Sequence, residues 1–416
     1  GSEMCIRDSS WGELGNCNTT AFYPFYQTMP TGVENSGWLI NGKNPNTASA
    51  PGIVSAEMTW ETVRSWNIGF DFGLLNNRLT GSFDYFVRNT LDMIGPAPQL
   101  PATLGATVPK VNNADMKAWG FEVEVSWRDR IKDFNYGVKF VLSDDQRKVT
   151  RYPNEELNRN QWYAGRMDGL VWGYETVGIA KTDAEMEAHL ASLPNGGQSQ
   201  LGSKWAAGDI MYKDLNGDGK ISSGDGTLND LGDLKVVANT QLRFKYGLTL
   251  DASWKGFDFS AFFQGVGKRD VVVGGPYFWG ANGQGMWQAA AFKDHMDYFR
   301  PEDTESVFGP NVDAYYPRVI FGGGSSEGGK NTLTQSRYVQ NGAYIRLKNL
   351  QLGYTLPSTI TKKFAVNSLR VYVSGDNLWT GTKMRVFDPE VLGSTGDAGK
   401  AYPLGRVWSV GLNVNF

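Results

Sequence analysis

In the segment WNIGFDFGLL, every second residue is large and apolar: Trp66, Ile68, Phe70, Phe72 and Leu74. A period of two puts successive side chains on opposite faces of an extended chain, so this segment reads as a strand with one apolar face and one wet face. The triplet NNR follows, and Leu79, Gly81, Phe83, Tyr85 and Val87 repeat the pattern, which makes a hairpin with a short turn. The same signature recurs along the chain. Phe121, Val123, Val125 and Trp127 alternate with Glu122, Glu124 and Ser126. After RDRIKD, the residues Phe134, Tyr136, Val138, Phe140 and Leu142 alternate again. Tyr246 to Trp254 and Phe257 to Phe263 flank Lys255-Gly256, a two-residue turn suited to a tight hairpin. Further strands are expected at 344–356, 369–379 and 406–416, the last with Trp408, Val410, Leu412, Val414 and Phe416 on one face.

The connections between these strands differ in length in a regular way. Those at 75–78, 128–133, 255–256 and 357–368 are short, and those at about 94–116, 143–240, 268–337 and 380–405 are long. Short turns at one end and long loops at the other are the layout of an outer-membrane β-barrel. The apolar face is rich in Trp, Phe and Tyr, as a lipid-facing band is, and the other face carries charges and amides, as a wet lumen would. A large soluble β-sandwich is the competing reading, because alternation alone does not separate lipid from core.

Composition narrows the function. The chain has 416 residues, a formal charge of -3 and no basic excess, which argues against a nucleic-acid partner. Aromatics make up 13% and there are 51 glycines, a mix that suits strands and turns better than helices. No apolar run approaches the roughly 18–20 residues of a membrane helix, a fact that leaves a β-barrel open. Residues 1–10, GSEMCIRDSS, fit no strand pattern and no secretory signal and are read as a non-native segment outside the fold. With only two cysteines, one of them Cys5 in that segment and the other Cys17, no disulfide framework is expected. His189 and His295 have no ligand-like spacing and read as satisfied polar residues.

The run DLNGDGKISSGD, 214–225, matches a twelve-residue calcium loop by position. Asp214, Asn216 and Asp218 take the first, third and fifth ligand positions, Lys220 offers its carbonyl, Ser222 acts through water, and Asp225 stands where an EF-hand has Glu. Gly219 permits the turn and Ile221 points away to anchor the loop. Neither flank is a helix, so the expected role of Ca2+ is to clasp a loop within 143–240. An Asx- and Gly-rich turn without metal is the bland alternative.

In order along the chain, WGELGN (11–16), the segment 60–94, KAWGFEVEVSW (117–127), GDIMYKDLNGDGKISSGD, GAYIRLKNLQLGYTLP (342–357), LRVYVSGDNLW (369–379), FDPE (387–390) and YPLGR (402–406) resemble SusC/RagA-type TonB-dependent outer-membrane transporters. The resemblance covers essentially all of 11–416. It implies the C-terminal portion of a transmembrane antiparallel β-barrel of 22 strands, about nine to ten of which would lie in this chain as an open curved sheet. It also implies an outer-membrane location and TonB-driven import of large nutrients, oligosaccharides foremost and peptides in some members. A SusD-like lipoprotein lid would cap the mouth, and the TonB complex would be engaged through regions outside this chain.

Aromatic and amide side chains in the long loops suit sugar rings and hydroxyls. Trp162, Tyr163 and Trp172 lie in one such loop, and Tyr277, Trp279, Asn282 and Trp287 in another. Loop-on-loop packing, or packing against the lid, would use the same residues. A second function class is a calcium-stabilised surface-binding or adhesive β protein without transport. An enzyme is not expected, because no nucleophile motif, metal-hydrolase His cluster or phosphate-binding Gly loop occurs.

Overall fold

The computed structural model describes residues 4–17, 26–29, 31–32, 39–48, 51–55, 58–97, 103, 108–282, 291–320, 326–392 and 402–416. Ten strands form a single antiparallel sheet in which each pairs with the next in sequence: β1 (Met4–Asn16), β2 (Glu61–Leu74), β3 (Leu79–Ile94), β4 (Asn112–Ile131), β5 (Phe134–Arg151), β6 (Arg243–Trp254), β7 (Phe257–Lys268), β8 (Tyr344–Thr355), β9 (Ser368–Thr382) and β10 (Val407–Asn415). Among the described residues β1 and β10 end the ladder and do not pair with one another, so the sheet is open. Among the described residues the other sheets are two-stranded ladders, so no second sheet of sandwich size is present.

The register sorts the side chains into two faces. One continuous cross-strand row holds Phe72, Gly81, Val125, Phe140, Leu248, Phe263, Leu347 and Trp379. The neighbouring row on the other face holds Asp71, Ser82, Glu124, Val141, Gly247, Gln264, Arg346 and Thr380. The apolar face is left open to its surroundings: Trp254 is 50% exposed, Leu352 56% and Trp408 67%. Trp11, Trp66 and Trp119 sit toward the long-loop end of this face, and Trp127 and Trp254 toward the short-turn end. Trp119 and Trp127 are about 27 Å apart along the strand, which a tilt of about 40° reduces to about 21 Å, close to the roughly 25 Å apolar band of an outer-membrane barrel.

The tight hairpin is built as its residues require. Lys255 (φ 46°) and Gly256 (φ 91°) both take left-handed backbone, and a Cβ on Gly256 would approach the Thr355 carbonyl to 2.7 Å. The strands on the long-loop side are longer than the sequence indicates. β4 starts at Asn112, and β5 continues to Arg151 rather than ending near Leu142.

Met4–Ser10, expected outside the fold, pairs residue for residue with β2, from Met4 opposite Gly73 onward. Backbone pairing needs no side-chain alternation, which is why the pattern missed it. The same register sets Arg7 opposite Phe70 on the apolar face, a costly place for charge in a bilayer.

The densest core lies in the long connections and not on the sheet. Ile210, Tyr212, Ile221, Phe278, Trp279, Tyr316, Tyr338 and Leu392, drawn from three different loops, pack into one buried cluster. Short two-strand ladders (Leu170–Tyr174 with Leu234–Asn239, Thr176–Ile179 with Ile210–Tyr212) frame it. A helix, α1 (Asp183–Ala191), packs beside it, with Thr182 Oγ1 accepting the Glu185 N–H at 3.2 Å as its cap.

Candidate functional site: an inner-face cleft beside a packed loop core

A cleft of about 820 Å³ opens on the polar face where β5–β8 meet the segment after β9. Ser143, Asp145, Lys245, Gln264, Tyr344 and Glu390 line it. Most of its charges are paired. Lys245 Nζ lies 2.8 Å from Asp145, and Glu390 receives Arg346 and Lys348, each at 2.8 Å. An adjoining cleft of about 400 Å³ adds Phe86, Arg88, Glu122 and Arg147. Alternation on β3–β6 brings these residues together, and the mixture of both charge signs with aromatic rings can hold polar, hydrogen-bonding cargo.

The segment 383–392, which contains FDPE, forms one side of the large cleft. Arg346 on β8 donates to Asp388 at 2.6 Å and to Glu390 at 2.8 Å while its Nε donates to Thr380. Burial alone would raise the Asp388 carboxyl, but the Glu390 N–H and the Arg346 guanidinium outweigh it and hold the carboxyl below its ordinary value. Lys348 is an extra residue relative to β7, a bulge that leaves Arg346 and Lys348 on this side and returns Leu350 to the apolar face.

A second ionic centre joins two long loops. Asp209, fully buried, accepts both Arg318 nitrogens at 2.7 and 2.8 Å and lies 2.9 Å from the fully buried Lys330 ammonium. Glu327 bonds Lys330 at 3.1 Å and accepts from the Ser203 hydroxyl and N–H. The Ser203 hydroxyl, foremost among these donors, holds the Glu327 carboxyl at about 2, against an ordinary 4.5. Its ionised form therefore steadies the junction fully above pH 4.5, and that contribution fades as pH falls from there toward about 2. The protection of amides around 203–204 and 327–330, relative to their intrinsic exchange at each pH, is expected to fall over this interval, and Glu327→Gln should abolish that step.

The loop at 214–225 holds itself together with its own side chains. Asp214 accepts the Gly217 and Gly219 N–H groups at 2.6 and 2.9 Å, Asn216 accepts Asp218 N–H, and Asp218 accepts Lys220 N–H. Ile221 is fully buried, as its anchoring role requires. Ser222 is buried, and Lys220 keeps its ammonium 3.9 Å from Asp218. Asp225 is the misfit. Its carboxylate turns to the Thr227 N–H at 2.7 Å and is exposed. Gly224 and Gly226, on either side of the twelfth position, are both left-handed. Asp233, not singled out by spacing, staples it instead: fully buried, it accepts Leu215 and Ser222 N–H groups, each at 2.7 Å. Burial, joined by the charges of Asp214 and Asp218, raises its carboxyl despite those two donors. Among the described residues no three His, Cys, Asp or Glu side chains converge as a metal cage. The fit to Ca2+ is therefore partial, resting on Asp214, Asn216, Asp218 and the Lys220 carbonyl.

The expected cargo-contacting residues are dispersed. Trp279 is 7% and Asn282 3% exposed. Trp279 lies in the loop core, and Asn282 accepts the Ile320 N–H at 2.6 Å. Their burial corrects the expectation that they face cargo, because the loop core takes up their apolar and polar groups. Trp162 packs edge-on against Tyr152, and Trp172 sits in the Leu170–Tyr174 ladder opposite Val236. Tyr163 is half-buried, and Tyr277 is exposed and stacked on Phe292. Trp287 lies outside the described residues. The two histidines are satisfied within loops, His189 by Gln198 and His295 by the Phe278 carbonyl and the Phe292 N–H. Sequence reasoning passed over Asp209, Arg318, Lys330 and the Arg346–Glu390 pairing. Only the two acids flanking Pro389, facing a strand with Arg346 and Lys348 two apart, could have signalled the last.

Comparison with known proteins agrees with this architecture. The profile of the family described as TonB dependent receptor-like, beta-barrel matches residues 20–254. TonB-dependent receptor P3 of Formosa agariphila is 28% identical over 98% of this chain and 39% of its own length. TonB-dependent receptor SusC of Bacteroides thetaiotaomicron is 23% identical over 98% of this chain and 37% of its own length. The RagAB peptide importer in its closed-closed state has the same fold at a TM-score of 0.69 and 21% identity, covering 99% of this chain and 41% of that one. The chain thus spans about two-fifths of the length of these relatives. Receptors of this kind are outer-membrane barrels and not enzymes. An open ten-stranded sheet with a lipid-type face, a wet face and loops packed at one end is a wall segment of such a barrel, and the chain belongs to the TonB-dependent receptor β-barrel family.

Proposed function

We propose that this chain supplies part of the wall and the long extracellular loops of a TonB-dependent importer of large nutrients, oligosaccharides foremost, working with a SusD-like lipoprotein lid and the TonB complex. The observation that carries this reading is the paired-charge cleft on the wet face, set against loops that pack into a shared core at one end of the sheet. A peptide cargo is the second reading. It is favoured by the charge of both signs along the cleft and by the fold shared with a peptide importer. Calorimetry on the receptor purified from its native outer membrane separates the two: oligosaccharides giving saturable heat support the first, and peptides alone giving heat support the second. No heat from either, and no lid lipoprotein in the purified complex, would defeat both.

Calcium is proposed as a modest clasp on the 214–225 loop through Asp214, Asn216, Asp218 and the Lys220 carbonyl. Millimolar Ca2+ should slow protease cleavage of this loop. Asp214→Ala with Asp218→Ala should remove the effect, and Asp225→Ala should leave it intact because Asp225 faces Thr227. Equal cleavage with Ca2+ and with chelator would leave an Asx-turn loop that needs no ion.

A further inference from the structure

We propose that residues 383–392 form an ion-locked strap that fixes the loop core to the barrel wall and thereby sets the width of the inner cleft. The inference rests on geometry and family membership and is independent of cargo.

The strap is attached on two sides. On the loop side apolar packing is joined by one arginine: Leu392 and Met384 are buried in the loop core with Phe387 packed against it, and Arg385 lies 4.0 Å over the Tyr315 ring and pairs with Asp294 at 2.9 Å. On the wall side it is almost wholly polar. Arg346 reaches Asp388 and Glu390, Lys348 reaches Glu390, and Arg269 at the end of β7 donates to the Pro389 and Leu392 carbonyls at 3.0 and 2.6 Å. The Arg346 side chain is 3% exposed and Asp388 9%, so little water screens this lock. Pro389, Glu390 and Leu392 also line the cleft. Removing the polar attachments leaves the strap bound to the loops and free of the wall, and a strap that leaves the wall carries the loop core with it and opens the cleft.

Dry, paired charges also make the lock all-or-none. Removing one partner strands the other in a poorly hydrated site, so the remaining contacts gain nothing by staying closed. Removing both partners should then cost no more than removing one.

Hydrogen exchange on the receptor in detergent, purified from its native membrane, tests the strap. Arg346→Gln should accelerate exchange at 384–392 by about tenfold or more, with the loop core around 278 and 316 following and β8 and β9 unchanged. Asp388→Asn with Glu390→Gln cuts these contacts from the strap side, together with the Lys348–Glu390 pair, and should give the same pattern, which covers the case in which altering β8 prevents assembly. Combining all three should add little. Unchanged exchange at the strap would overturn the lock, and a loosened strap beside an undisturbed loop core would overturn the coupling.

Discussion

Asp209→Ala will unfasten the long loops from one another while the ten strands stay paired. Asp209 is fully buried and holds Arg318 through two bonds, Lys330 through a 2.9 Å contact, and the Asn331 amide and Ala206 N–H besides. Taking the carboxylate away leaves the fully buried Lys330 ammonium facing Glu327 and the Trp205 ring, at 3.1 and 4.5 Å, and leaves Arg318 without its fork. Removing one member of a buried ion pair typically costs about 3–5 kcal/mol. That is enough to open a subregion whose own stability is a fraction of the whole. The barrel strands do not share these contacts, so loss should appear as faster amide exchange at 203–212, 314–320 and 326–335, with the strand amides unmoved. A control separates stranded charge from lost contact. Asp209→Leu with Arg318→Met and Lys330→Met keeps the volume and removes the charges of the buried cluster, leaving only the partly exposed Glu327, and it should be milder than the single change. A triple variant as damaged as the single one would mean that the network's hydrogen bonds, and not its charge balance, hold the loops.

The strands were legible because lipid outside and water inside force a contrast at every second residue. That contrast ends where the bilayer ends. Ser143, Asp145 and Arg147 face inward on β5 and Asp144, Gln146 and Lys148 outward, so both faces are polar and the pattern falls silent while the backbone ladder continues to Arg151. Met4–Ser10 was missed for a related reason, since an end strand pairs through its backbone whatever its side chains are. The loop core was not legible at all. Tyr212, Phe278 and Leu392 come from separate connections with no common period, and only folding brings them together. Aromatic residues that look like sugar platforms in one dimension, Trp279 above all, are used there instead. In the 214–225 loop the burial of Ile221 was legible. Asp233 was not, because it lies beyond the twelve-residue template and only folding brings its carboxylate to the Leu215 and Ser222 N–H groups.

Leu248→Arg should block stable insertion of the barrel, whereas Thr249→Arg, one residue along, should be tolerated. Leu248 lies between Phe140 and Phe263 in the middle of the apolar face, and Thr249 lies between Lys139 and Phe262 on the wet face. An arginine on the lipid side near the bilayer midplane costs about 2–4 kcal/mol, and the same residue on a wet lumen wall costs little. The pair tests the face assignment itself, because both substitutions place the same arginine at adjacent residues of one strand, on opposite sides of the sheet. Urea titration of the receptor refolded into lipid vesicles reads both. A lower midpoint for Leu248→Arg alone places lipid against the Phe140–Leu248–Phe263 row. Equal losses would mean that both faces are buried against protein. A selective loss at Thr249 would turn the wall inside out and put the cleft between Asp145 and Glu390 on the lipid side, where its paired charges have no physical reason to be.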